Sequence, residues 1–127
     1  MKNQLITILS SFFCYLILTN SIQAQESIFD KLNAIATVDE KVMMPMRDGV
    51  RLASDIYRPK EAGKYPIIFS RTPYNFNSWG DGEQRTRTAK SAYEYVKKGY
   101  AYVVQNERGR FYSEGEWDIL GVPLTDG

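Results

Sequence analysis

Two short apolar runs dominate the hydrophobic pattern of the chain, YPIIFS at 65–70 and YAYVVQ at 100–105. Continuous runs of this length with β-branched and aromatic members are typical of strands that are buried on both faces. Pro66 stands at the start of the first run and Pro73 prevents its continuation, so we expect a turn that presents Tyr74 at the strand end. Tyr74 is therefore a candidate site residue, with simple packing as the alternative.

The segment between the two runs has the pattern of an amphipathic helix. Its apolar residues follow the spacing i, i+3, i+4, i+7 of one buried face, namely Ala89, Ala92, Tyr93 and Val96. Thr86 or Thr88 can cap the start of this helix, and Gly99 is suited to its end. Strand, helix and strand form one βαβ unit, so the two apolar strands should be parallel.

The residues before this unit predict two antiparallel strands over 41–59, joined by a tight turn at 47–49. Residues 25–40 form a lead segment, in which Ile28, Leu32 and Ile35 indicate one short helix. An antiparallel pair that leads into parallel strands predicts a mixed sheet with the hairpin at its edge. The fold class is therefore α/β.

The loops after the two apolar strands should lie at the same edge of the sheet, where α/β proteins build their sites. Phe76 and Trp79, in the first loop, either line a substrate pocket or cap the core. Arg108 and Glu114, in the second loop, either hold substrate or form an internal ion pair that fixes the loop.

The N-terminus has the pattern of a secretory signal peptide at 1–24. Lys2 supplies a positive start, residues 5–18 an apolar core, and Ala24 the expected cleavage site. A membrane anchor is the alternative, but the apolar run is shorter than the roughly 18 residues that a spanning helix needs. We therefore expect a secreted or periplasmic protein with no stable membrane span, which loses its single cysteine, Cys14, with the signal.

Composition narrows the possible functions. The chain is 43% hydrophobic and 24% charged, which is typical of globular proteins, and its 16 basic residues nearly balance 15 acidic ones. Nothing in this balance indicates nucleic-acid binding. The chain contains no histidine, which excludes a histidine-dependent triad or zinc site built from these residues alone.

Four segments together resemble one enzyme family: MPMRDGVRLASDIYRP, the strand that ends in RTPY, VKKGYAYVVQNERGR, and SEGEW. Their order is similar to that of the CocE/NonD or Xaa-Pro dipeptidyl-peptidase (S15) serine hydrolases, from Val42 to about Gly127. The resemblance implies that residues 41–127 are the N-terminal portion of an α/β-hydrolase fold, incomplete at its end. It also implies that Tyr74 donates its hydroxyl to the oxyanion hole. The family usually has aspartate where Asn106 stands.

The implied activity is ester or amide hydrolysis through an acyl-enzyme, on a small-molecule or peptide substrate. The resemblance also implies neither a metal nor an organic cofactor, since the family's chemistry needs neither. These residues contain no G-x-S-x-G motif, so we expect the nucleophile, the acid and the histidine to lie beyond Gly127. The chain alone should then be inert. The alternative is a non-catalytic secreted binding module or a hydrolase relic, and the choice between ester and amide stays open.

Overall fold

The computed structural model describes residues 26–76 and 82–118. The predicted signal peptide and Trp79 lie outside the described residues. Within the described ranges, no helix is both long enough and apolar enough to cross a membrane. The elements in chain order are α1 Ile28–Ile35, β1 Ala36–Pro45, β2 Arg51–Pro59, β3 Ile67–Thr72, α2 Glu83–Lys97 and β4 Ala101–Asn106.

The four strands form one mixed sheet in the order β1-β2-β4-β3. β1 pairs with β2 and β2 with β4 in antiparallel fashion, whereas β3 and β4 are parallel. The prediction of an antiparallel hairpin at the edge, followed by a βαβ unit, is confirmed.

The hairpin turn forms at the predicted residues 47–49. Gly49 has φ +86°, a conformation that glycine adopts without a steric penalty. The backbone N–H of Val50 donates to Asp48 Oδ1 at 3.1 Å, which closes the turn locally. Asp48 and Gly49 therefore fix the register of β1 on β2.

β1 begins earlier than the sequence predicted, at Ala36 instead of Lys41. A bulge interrupts its pairing between Asp39 and Val42, and Lys41 adopts φ +55° there. The N–H of Lys41 leaves the strand ladder and donates to Asp55 Oδ1 at 2.9 Å. The bulge interrupts the alternation of apolar and polar residues along β1. The sequence pattern therefore did not predict the part of the strand before Lys41.

Both predicted helices are present. Ser27 and Asp30 form a capping box at the start of α1, in which each side chain bonds to the other residue's backbone N–H. Gly99 follows α2 with φ +83°, and its N–H donates to the carbonyl of Val96 at 2.9 Å. The predicted end of this helix is confirmed.

The predicted start of α2 is wrong. The helix begins at Glu83, with Gly82 in the capping position and no side-chain cap. Thr86 Oγ1 donates to the carbonyl of Gly82, and Thr88 Oγ1 donates to the carbonyl of Phe76 at 3.2 Å. Both hydroxyls thus act as donors to carbonyls, whereas an N-cap must accept from an N–H.

Both helices pack on one face of the sheet. Tyr102, on β4, stacks on Tyr57 of β2 and on Tyr95 of α2, with ring centroids 6.1 and 5.3 Å apart. Burial raises the pKa of Tyr57 and of Tyr102, so both phenols stay neutral. The buried cluster contains Leu32, Ala36, Tyr57, Phe76, Ala89, Ala92, Val96, Tyr102 and Val104.

The two apolar runs differ in burial. All six residues of β4 are buried, as predicted for a strand covered on both faces. The same prediction for β3 is wrong, because Ile67 is 63% exposed and Phe69 is 49% exposed, while Ile68 packs against the core. β3 is one of the two edge strands of the described sheet, and the helices cover only its Ile68 face.

Candidate active site

The loops that follow β3 and β4 leave the sheet side by side. Thr72, the last residue of β3, is in register with Asn106, the last residue of β4. The N–H of Glu107 donates to the carbonyl of Thr72 at 3.1 Å, which continues the pairing for one more residue. The prediction that both loops lie at the same sheet edge is confirmed.

The backbone around Tyr74 is held by donors from the last residue of β4 and from the loop that follows it. The amide Nδ2 of Asn106 donates to the carbonyl of Tyr74 at 2.9 Å, and the guanidinium Nε of Arg110 donates to the carbonyl of Pro73 at 3.1 Å. The N–H of Tyr74 itself donates to Thr72 Oγ1 at 3.1 Å. Tyr74 is 70% exposed, so a fixed backbone presents its phenol at the surface of this edge.

Of the other two predicted substrate contacts, the structure describes only Phe76. Phe76 is only 2% exposed and belongs to the core cluster under α2, which favours the packing alternative for its ring. Trp79 falls outside the described residues. A substrate contact at either position stays a prediction.

Two glycines give the second loop its tight path. Gly109 has φ +65°, and a Cβ added there would lie 2.3 Å from the backbone nitrogen of Trp117. Gly115 has φ +87°, and its Cβ would lie 2.8 Å from Cγ of Arg108. Both positions therefore require glycine for conformation and for space.

Arg108 and Glu114 each form an ion pair, but not with each other. Arg108, which is 9% exposed, lies 2.9 Å from Asp48 of the hairpin turn and lowers the pKa of that carboxyl group. Glu114 accepts from the side chain and from the backbone N–H of Arg51, the latter at 3.0 Å. These bonds lower the pKa of Glu114. The structure favours the loop-fixing alternative, with both partners supplied by the hairpin.

Ser113 ties the same loop to two strands. Its Oγ accepts from the N–H of Ala53 on β2 at 3.0 Å and donates to the carbonyl of Asn106 at 3.1 Å. Ser113 and Glu114 of the SEGEW motif therefore attach the loop to the sheet, and Gly115 leaves room for Arg108.

Asn106 and Arg110 were not predicted as site residues. Asn106 is fully buried, and its Oδ1 has no hydrogen-bond partner within the part of the chain that the structure describes. An ionised aspartate, which the family resemblance leads us to expect at this position, could not donate to the carbonyl of Tyr74 as this amide does. The departure from the family pattern was thus the signal that could have identified Asn106.

A cavity of about 460 Å³ lies on the helix-covered side, lined by residues that include Phe29, Glu40, Tyr57 and Arg85. Arg85 pairs with Glu40 at 3.1 Å, and the nearby Asp55 accepts from the N–H of Lys41. Burial raises the pKa of Asp55. Over the described ranges, no group of three or more acidic or cysteine side chains could hold a metal ion.

The mixed sheet, with helices on one face and loops gathered where β3 and β4 end, defines an α/β-hydrolase-like fold, and comparisons with known proteins agree. The family of X-Pro dipeptidyl-peptidases (S15 family) matches residues 48–126. Cocaine esterase from Rhodococcus sp. (strain MB1 Bresler) is 46% identical over 91 residues, which is 71% of this chain and 14% of the esterase. The chain therefore belongs to the X-Pro dipeptidyl-peptidase (S15) family, whose members are hydrolases.

Solved structures give the same result for the fold. An α-amino acid ester hydrolase superimposes with a TM-score of 0.54 at 30% identity, over 80% of this chain and 17% of that enzyme. An aminopeptidase from a marine sediment Thaumarchaeota archaeon gives 0.51 at 30% identity, over 84% and 18% of the two chains. A CocE/NonD family hydrolase from Staphylococcus aureus gives 0.50 at 19% identity, over 61% and 16%. The chain thus spans less than a fifth of each relative.

Proposed function

We propose that the whole protein is an exported serine hydrolase that cleaves ester or amide bonds through an acyl-enzyme. In this proposal the signal peptide is removed near Ala24, and the mature enzyme acts outside the cytoplasm or in the periplasm. The substrate is a small-molecule or peptide ester or amide. This chain contributes the hydroxyl group of Tyr74 to the oxyanion hole.

The observation that carries the proposal is the position of Tyr74 on a braced turn directly after β3. The α/β-hydrolase plan takes one oxyanion donor from the loop that follows its third strand, and β3 is the third strand here. Oxyanion donors are effective when they are fixed before the negative charge develops. The bonds to the carbonyls of Pro73 and Tyr74 supply that rigidity.

The proposed chemistry has two steps. A serine Oγ gives its proton to a histidine and bonds to the substrate carbonyl carbon, while the carbonyl π electrons move to the oxygen. The O–H of Tyr74 donates a hydrogen bond to that oxyanion. The intermediate collapses with loss of the alcohol or amine, which takes up the proton, and water then hydrolyses the acyl-serine.

These 127 residues contain no histidine and no G-x-S-x-G motif, so the proposal assigns the nucleophile, the acid and the histidine to the rest of the whole protein. The chain alone is therefore expected to be inert. The same observation supports the second candidate, a non-catalytic secreted binding module or a hydrolase relic.

The substitution Tyr74→Phe in the whole protein tests the role of the phenol. It removes one hydroxyl group and keeps the ring, so the fold should be unaffected. We expect kcat for an activated ester to fall by about 10²- to 10³-fold, since removal of single oxyanion donors has effects of that size. KM should change little. An unchanged kcat would assign Tyr74 to packing.

A further inference from the structure

The residues that hold Tyr74 form a small polar brace, which we define as Asn106 and Arg110. The two side chains donate to consecutive backbone carbonyls, Arg110 Nε to Pro73 and Asn106 Nδ2 to Tyr74. Asn106 is the last residue of β4 and Arg110 lies in the loop after it, whereas Tyr74 follows β3. The brace therefore links the two loops at the point where the sheet ends.

Each member of the brace is itself fixed. Asn106 is the last residue of β4 and is fully buried, and its own carbonyl accepts from Ser113 Oγ at 3.1 Å. The guanidinium of Arg110 lies over the ring of Trp117 at 4.5 Å and over that of Phe111 at 5.2 Å. These aromatic contacts restrict the side chain of Arg110 in the orientation that reaches Pro73.

The backbone next to Arg110 is strained. Phe111 has φ +53°, a left-handed conformation that residues other than glycine adopt only at an energetic cost. The turn that contains it is closed by the N–H of Ser113, which donates to the carbonyl of Arg110 at 2.9 Å. A strained aromatic residue that contacts Arg110 is consistent with a segment shaped by the position of that arginine.

The brace matters because Tyr74 is an exposed residue whose position depends on its backbone. Because Tyr74 is 70% exposed, the backbone at Pro73 and Tyr74 sets the position from which the side chain extends and the space that its hydroxyl group can reach. A displacement of about 1 Å at a catalytic group can lower the rate by roughly 10²-fold.

We infer that Asn106 and Arg110 are positioning residues that hold the Tyr74 hydroxyl group in the oxyanion hole. The inference rests on the proposed function of Tyr74. Neither residue contacts the reacting atoms in this account, since both act on the backbone that carries the donor. Asparagine serves here because its neutral amide donates to a carbonyl at any pH, whereas an aspartate does so only when protonated.

A double-mutant cycle in the whole protein tests the brace. Arg110→Met removes the donor to Pro73, and we expect kcat to fall roughly 10- to 100-fold with KM changed less than about threefold. In the Tyr74→Phe background, the same substitution should lower kcat by less than about twofold, because the donor that it positions is already absent. Asn106→Leu, which is close in size, should give the same pattern.

Arg58→Met is the matched control. Like Arg110, Arg58 is an arginine whose Nε donates a hydrogen bond, here to Asp39 Oδ2 at 3.2 Å, but it lies at the opposite end of β2 from the brace. It should leave kcat unchanged in both backgrounds. Thermal melting of each variant separates a loss of fold from a displacement of Tyr74, and Asn106→Leu carries the cycle alone if Arg110→Met does not fold.

The outcomes are distinct. A loss of kcat that disappears in the Tyr74→Phe background supports the brace. Equal losses in both backgrounds, or a change in KM alone, would overturn it while leaving the role of Tyr74 intact. If Tyr74→Phe itself has full activity, the proposed function of Tyr74 fails first, and the brace has no donor to position.

Discussion

Gly109 and Gly49 show how two glycines with similar backbone angles can matter for different reasons. Gly49 has φ +86° with open space around the missing Cβ, whereas Gly109 has φ +65° and the backbone of Trp117 within 2.3 Å of that position. The first glycine is needed only for its conformation. The second is needed for conformation and for space.

We therefore predict different costs for alanine at these two positions in the whole protein. Gly49→Ala should lower the free energy of unfolding by about 1–2 kcal/mol, the cost of a left-handed conformation for a residue with a Cβ. Gly109→Ala should cost more than Gly49→Ala, because the loop must also move away from the added methyl group. Chemical denaturation of both variants measures the difference. Equal costs would mean that the loop yields without strain.

At single positions, the sequence predicted local backbone features better than it predicted contacts with residues distant in the chain. The Asp48-Gly49 turn followed from local chemistry, and so did the end of α2 at Gly99. The ion-pair partners of Arg108 and Glu114 did not, because they come from the distant hairpin and depend on how the loop packs on β2.

Among the elements, the loop after β4 is attached to the hairpin chiefly through charged and polar groups. The carbonyl of Arg51 accepts from the N–H of Glu114 at 3.0 Å, while the Glu114 carboxylate accepts from Arg51 in return. Because Arg51 lowers the pKa of Glu114, this bond favours the folded state when the carboxylate is ionised. The attachment should therefore weaken in acid.

The pH dependence of Glu114→Gln tests this attachment. A carboxyl group with a lowered pKa in the folded state stabilises the protein fully above its unfolded pKa, which is about 4.3 for glutamate. The contribution is lost as the pH falls through the folded value. We expect the variant to melt below the unsubstituted protein at pH 7 and the gap to narrow below about pH 4. A gap independent of pH would contradict this.

The burial of a strand was predicted correctly where its apolar pattern matched its final position in the sheet. β4 has a continuous apolar run and is buried on both faces, so its pattern predicted its environment. β3 has a similar run, but within the described sheet it is an edge strand with Ile67 and Phe69 exposed. Strand order, which depends on contacts distant in sequence, decided between the two outcomes.

For the molecule as a whole, the chain provides a scaffold and one candidate catalytic group. The sheet and its helices bring the ends of β3 and β4 together, and the loop after β4 braces the turn that carries Tyr74. The sequence alone predicted the fold class, the shared sheet edge and the family resemblance. It could not predict the brace, because side-chain hydrogen bonds between two loops leave no periodic signal.

The most direct test of the proposed function is a pre-steady-state assay of the whole protein with a chromogenic ester. The account predicts a burst of product stoichiometric with enzyme, the sign of an accumulating acyl-serine, and its loss after treatment with a serine-directed phosphonylating reagent. Residues 25–127 alone should give no turnover above buffer. A whole protein without hydrolysis, or turnover by the isolated chain, would contradict the account and favour a binding module or a different site.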